Sequence, residues 1–299
     1  MTSPMLKGNK GFTLVEILVV IAIMGLVMAS IYSVYLTNMK SAYTQEEVVE
    51  VQQNLRIAMD SITKDIRMAG MLVPTSTPPI ASGFANYSSI IPLNMASARG
   101  IYARIDAAPT LGTSDTVTCI VESEEAVDVF TANPGNPVRI FRPVDCSQPF
   151  STTYSVTATD QSAQSLTLRR DDSVNFAAGD VLKRGDMIAM TGPGAPDPNT
   201  VEYSAVDGGA VVNGVTCPQN QRCIVRNANG TADIIASNIS SLRFAYIYDD
   251  YTETASPTDL GNVRAVRVTI TGQTAETALL SGGSKTRQLT SIVKIHNRR

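Results

Sequence analysis

The sequence predicts an α+β protein: a long N-terminal helix, membrane-spanning in its first half, packed on a C-terminal antiparallel β-sheet domain. Three observations carry this. Ile17 to Met39 is predominantly apolar, with no charged residue before Lys40, and is long enough to cross about 30 Å of hydrocarbon as a helix. Lys40 to Ala69 contains neither Pro nor Gly, and its apolar residues recur at Val48, Val51, Leu55, Ala58 or Met59, Ile62, Ile66 and Ala69. Those steps of three and four lay one stripe along a helix. From Asp115 onward the period falls to two with no helix-length periodicity between the runs, which favours an antiparallel sheet over parallel βαβ units.

The first element opens on a short basic leader. Lys7 and Lys10, with no acidic residue beside them in residues 1–11, hold that end on the cytoplasmic side, so the bulk of the chain is exported. Gly11 marks the junction, and Glu16 follows five residues later inside the apolar run. A carboxylate there is costly without a positive partner; a cut after Gly11 supplies one, the free amine of Phe12. Lys10-Gly11-Phe12-Thr13-Leu14-Val15-Glu16 followed by an apolar helix closely resembles the class III signal of the type IV pilin and type II secretion pseudopilin superfamily. The resemblance implies that a membrane-embedded prepilin peptidase cleaves between Gly11 and Phe12 and methylates Phe12, and that Glu16 guides docking into a growing filament. An uncleaved signal anchor accounts for the span but not for Gly11 and Glu16 at this spacing. An ordinary signal peptide carries its small-residue cleavage site after the apolar core, not before it.

The helix should run from about Phe12 to about Ala69, roughly 87 Å, its stripe packing on the globular domain. Gly70 stops it and Pro74 forbids its return. Gly25 is the expected point of bending, since Gly weakens a helix by about 1 kcal/mol, and Gly25 with Ala29 makes a small-xxx-small pair that would let a neighbouring helix approach. The chain thus divides into a leader (1–11), a transmembrane and assembly helix (12–39), an amphipathic extension (40–70) and an exported β-rich domain (71–299). Pro74 to Pro92, rich in Ser, Thr and Pro, reads as loop. Strand candidates follow: Val117, Cys119 and Val121 on one face, then Val138 to Phe141, Ser165 to Arg169, Asp186 to Thr191 and Val201 to Ala205. The strongest are last, with Leu242, Phe244, Tyr246 and Tyr248 on one face, Val266, Val268 and Ile270 on another, and Leu289, Ser291, Val293 and Ile295 on a third.

A second layer of resemblance lies in Ile62 to Gly70, Ser241 to Tyr246, Val263 to Ile270 and Val293 to Arg299. These segments look like those of PilW-type minor pilins and the related J-type pseudopilins, whereas Pro74 to Cys146 matches nothing in that pattern. The resemblance implies a non-enzymatic minor pilin of a type IV pilus that primes assembly at or near the filament tip. Its implied partners are the prepilin peptidase, other minor and major pilins, the inner membrane and a tip adhesin. It would be single-pass in the inner membrane before assembly and on the pilus afterwards. Two alternatives stand beside it: a type II secretion pseudopilin, and a pilin-anchored adhesin or DNA-uptake receptor.

Composition limits the rest. Net charge is −3 with 17% charged residues, and no basic run precedes Arg298-Arg299, so no nucleic-acid partner is expected. The four cysteines, Cys119, Cys146, Cys217 and Cys223, suit an oxidising compartment and admit about three pairings; the sequence-local choice is Cys119–Cys146 with Cys217–Cys223. A zinc site is disfavoured, because His296 is the single histidine and no C-x-x-C occurs. No catalytic motif is present: G-x-S-x-G, G-x-x-x-x-G-K and H-E-x-x-H are all missing from the sequence. Gly192-Pro193-Gly194-Ala195-Pro196 lacks the Lys and Ser/Thr of a phosphate loop. No cofactor is expected beyond one calcium candidate, the carboxylates Asp249, Asp250, Glu253 and Asp259, whose spacing fits no EF-hand loop and which read equally well as a solvated strand-end loop.

Overall fold

The computed structural model describes residues 13–74, 77–133, 135–150, 152–177, 180–191, 199–274 and 284–297. Helix α1 runs unbroken from Leu14–Met68, 55 residues, straight through Gly25. Thr13 caps its start by accepting the Glu16 N–H on its hydroxyl (3.3 Å), the first half of a capping box. Ala69 ends it, and Gly70 turns the chain away at φ +77°. A Cβ at Gly70 would stand 2.5 Å from the Asn297 carbonyl oxygen, so a glycine is required there on two counts. The last segment also closes the helix end, Asn297 Nδ2 donating to the Arg67 carbonyl (3.1 Å).

After α1 the chain forms β1 (Ile90–Met95), then leaves for a barrel. The barrel comprises β2 (Tyr102–Ala107), β3 (Thr116–Val121), helix α2 (Glu124–Thr131), β4 (Val138–Phe141), β5 (Tyr154–Asp160), β6 (Ser165–Arg170) and β7 (Met187–Met190). Its strands close in the order β2-β3-β6-β5-β4-β7. Inside lie Ile105, Val117, Cys119, Tyr154, Leu166 and Ile188, covered by Val127 and Phe130 of α2. The chain then returns as β8 (Asn199–Val206), makes the short hairpin β9 (Val211–Val212) and β10 (Val215–Thr216), and continues as β11 (Cys223–Ala228) and β12 (Thr231–Ala236). These build a sheet in the order β1-β8-β11-β12. A second sheet follows from β13 (Ile239–Tyr248), β14 (Glu253–Thr254), β15 (Val263–Gln273) and β16 (Thr286–Lys294), in the order β14-β13-β15-β16.

Both sheets pack on the distal half of α1. Val51, Leu55, Ala58, Met59, Ile62 and Ile66 share one core with Ile91, Val201 and Tyr203 of the first sheet and Phe244, Val268, Ile270 and Val293 of the second. The register Leu242↔Ile270, Phe244↔Val268, Tyr246↔Val266 puts the expected apolar rows side by side. The fold class is the one the sequence predicts. Three details differ. Among the described residues the β region holds two four-stranded sheets, a two-stranded hairpin and a barrel in place of one sheet, because the barrel's apolar rows face each other and not the helix. It also contains α2, too short to show a periodicity. Leu289, expected to face inward, is 37% exposed: it sits on the edge strand, one place out from buried Ile270.

Candidate functional site

Among the described residues, nothing covers the proximal half of α1. Leu14, Ile17, Leu18, Ile21, Leu26 and Ile31 are all more than half exposed, and the helix is long and apolar enough to cross a membrane. Glu16 lies in the first turn of that exposed surface, where the helix N-terminus favours a negative charge. Gly11 and Phe12, the predicted cleavage pair, lie outside the described residues, as do Lys7, Lys10, the Gly192–Pro196 run and Arg298-Arg299.

The cysteines divide. Cys217 and Cys223 are bridged, tying β10 to the start of β11. The expected Cys119–Cys146 bridge is not formed. Cys119 is wholly buried in the barrel core, while Cys146 packs with Leu72, Ala96, Phe141 and Ala189 where the barrel meets the end of α1. Each sulfur fills space in its own apolar cluster, as a small hydrophobe does. Burial, with the nearby Asp186 charge adding to it, pushes the Cys119 thiol up to about 12.

The four expected calcium carboxylates are not assembled. Asp249, Asp250 and Asp259 line one shallow hollow, but Asp250 accepts from the Thr252 hydroxyl (2.6 Å) and N–H (2.9 Å). Asp259 accepts from the Gly261 and Asn262 N–H groups and from Asn262 Nδ2 (2.6 Å). Glu253 is turned away to chelate Arg267 through two bonds of 2.8 and 2.9 Å. Turn formation uses these oxygens, and among the described residues no group of three His, Cys, Asp or Glu side chains is placed to hold a metal.

One arrangement went unread in the sequence. Asp65 falls on the buried stripe of α1, where it accepts from Arg226 Nε (2.7 Å) and the Tyr203 hydroxyl (2.8 Å). Ser61 bonds the same hydroxyl (2.8 Å), and Arg226 also donates to the Ala98 carbonyl. Burial and the Asp65 charge push the Tyr203 hydroxyl up. Burial works against the Arg226 charge, yet Asp65 outweighs it and raises that group too. The signal was available: a carboxylate between Ile62 and Ile66 on an apolar face needs a buried cation.

Residues 6–32 match the model of the prokaryotic N-terminal methylation motif. No curated protein and no solved structure matches the chain. The motif implies processing by a prepilin peptidase and assembly with other pilins, and the exposed apolar helix fits a protein anchored in the inner membrane. A capped helix with Glu16 in its first turn, bare at one end and sheathed in antiparallel sheet at the other, carries that motif here, and the motif supports a type IV pilin-like or pseudopilin protein.

Proposed function

We propose that the chain is a non-enzymatic minor subunit of a type IV pilus, incorporated at or near the filament tip, where it primes assembly with other pilins. The observation that supports this most is one unbroken helix doing two jobs, its apolar half uncovered and its distal half forming the spine of the head. Such a helix is stable in a bilayer and equally stable among identical helices, so it can pass from one to the other. The barrel, joined to the head through Leu72 at the end of α1 opposite the span, suits a subunit with a free outer end, and an adhesin there is the expected neighbour. In the filament the Glu16 carboxylate meets the amine of a Phe12, its own or that of an adjacent subunit, since an ion pair in a water-free medium is far less costly than a lone charge.

Mass spectrometry of the membrane-extracted protein tests the processing step. Phe12 is the expected N-terminus, N-methylated; a start at Met1 or after Ser30 overturns the reading. Deletion decides the machine: loss of surface pili with secretion intact supports the pilus, and blocked secretion with intact pili supports a type II secretion pseudopilin.

A further inference from the structure

We infer that the outer edge of β16 takes a further strand from a partner polypeptide, an extended segment lying along residues 287–294 with a carboxylate at each end. The inference is independent of the filament reading. Strand β16 pairs with β15 from Ala265↔Lys294 to Gln273↔Thr286 without a register shift, and the sheet ends there. Just beyond the ends of that pairing, Ile295 N–H donates to the Arg264 carbonyl (3.0 Å) and Thr274 N–H to the Lys285 carbonyl (2.9 Å). Odd-numbered residues of β16 therefore bond β15, and even-numbered ones turn their N–H and C=O to the open side. The Thr286 carbonyl accepts from the adjacent Arg287 side chain (3.2 Å). Nothing among the described residues bonds the backbone of Gln288, Thr290, Ile292 or Lys294 on that side, and all four residues are exposed.

Folded proteins blunt a long edge with a bulge, a proline, a charge or a covering segment. This fold covers the outer edge of β1, where Ala81 N–H donates to the Pro92 carbonyl (3.0 Å) and Asn94 N–H to the Pro79 carbonyl (2.8 Å). Strand β16 has neither proline nor bulge; what it has is charge of one sign. Residues 284–297 contain Lys285, Arg287 and Lys294 and no Asp or Glu, and none of the three pairs with a carboxylate among the described residues. That charge works against a second copy of this chain. Antiparallel self-pairing about Thr290 would set Lys294 opposite the other copy's Thr286, between its Lys285 and Arg287. A strand bearing carboxylates is what the row favours.

The side chains specify the rest. Lys294 and Ile292 fall on one face of the sheet, Arg287 and Leu289 on the other, and Ile292 and Leu289 are 53% and 37% exposed. An added strand pairs its backbone with the free N–H and C=O groups. It sets a carboxylate opposite Lys294 and Arg287 and an apolar residue opposite Ile292 and Leu289. The run Glu-Thr-Val-Thr-Thr-Val-Thr-Glu meets all four positions and reads the same in both directions.

The test uses the full chain in detergent micelles and this peptide labelled with fluorescein, with a Lys-for-Glu peptide as comparison. The acidic peptide should bind more tightly than the basic one by about tenfold, the joint effect of two exposed ion pairs, and the gap should narrow with added salt. Thr290→Pro should abolish binding while leaving the thermal melt cooperative, because its N–H points to the open side and proline takes nothing from the β15 ladder. Arg287→Glu combined with Lys294→Glu, both exposed positions, should reverse the order of the two peptides. Failure of the acidic peptide to bind wild type, equal affinity for the two peptides, or normal binding by Thr290→Pro overturns the inference. A doubly reversed variant that still prefers the acidic peptide overturns it as well.

Discussion

Asp65 fixes the helix to the head, and its removal should be felt throughout the domain. Its side chain and that of Arg226 are 9% and 17% exposed, so screening by water is slight. Taking away one member of a buried pair leaves the other charge uncompensated, at a cost of about 3–5 kcal/mol. Asp65→Ala should therefore lower the unfolding free energy by about that much, and Asp65→Asn by less, because an amide oxygen still accepts from Tyr203. Urea denaturation of both variants measures the difference; equal losses would show that the charge accounts for the whole effect and that the bond from Tyr203 adds nothing at this position. Cys119 supports a second prediction at this scale. The folded state holds the thiol neutral, with its titration raised from 9.0 to about 12. That contribution is whole below the unfolded value and is lost as pH rises through the folded one. Wild-type stability should thus fall between pH 9 and 12 more steeply than that of Cys119→Ala, and iodoacetamide should spare Cys119 in the native protein at pH 8 yet label it in urea.

Among the elements, α1 and β15 approach each other closely at Gly272. A Cβ at Gly272 would lie 2.5 Å from Val51 Cγ1 and 3.3 Å from two Leu55 carbons. Val51 is β-branched and stiff, so the helix itself has to move. Gly272→Ala should cost about 1–3 kcal/mol by overpacking, and the added change Val51→Ala should recover part of it; a neutral single variant would mean that helix and sheet already slide freely. This glycine illustrates what an isolated sequence conceals, since Thr271-Gly272-Gln273 looks like the end of a strand and not a contact point. The helix and the late strands were legible because each buries one face, which writes a period into the residues. Strand β1 was not. All but the first of its six residues are buried, so it shows no alternation, and its Pro92 argues against a strand until β1 is known to lie at a sheet edge. Helix α2 spans eight residues; only the Ser123 cap followed by Glu124 and Glu125 announces it.

At the scale of the molecule, the barrel is an insertion between two paired strands, and no local pattern could have revealed it. Its closure depends on β7 returning to β2 and β4, pairings that span most of the region whose sequence matched no part of the superfamily pattern. The topology is clean on both sides of the join. On the head side, β1 and β8 pair up to Met95↔Asn199, so their ends already stand together as in a hairpin. On the barrel side, the first and last strands pair with each other, Tyr102↔Ala189 to Arg104↔Met187, and the barrel fills its own core. Each part therefore has the adjacent chain ends and private apolar interior that an independent folding unit needs. Replacing residues 99–197 with a short Gly-Ser linker keeps Ala98, whose carbonyl Arg226 holds, and leaves the core around α1 intact. The shortened chain should remain helical, unfold cooperatively, and enter filaments at the wild-type level, while residues 100–191 expressed alone should give a cooperative β-rich melt. The visible cost should be confined to Leu72 and Ala96, which lose their cover of Phe141 and Ala189. A shortened head that fails to fold, with Asp65 and Arg226 both present, would show that the barrel is part of the head's structure and not a passenger upon it.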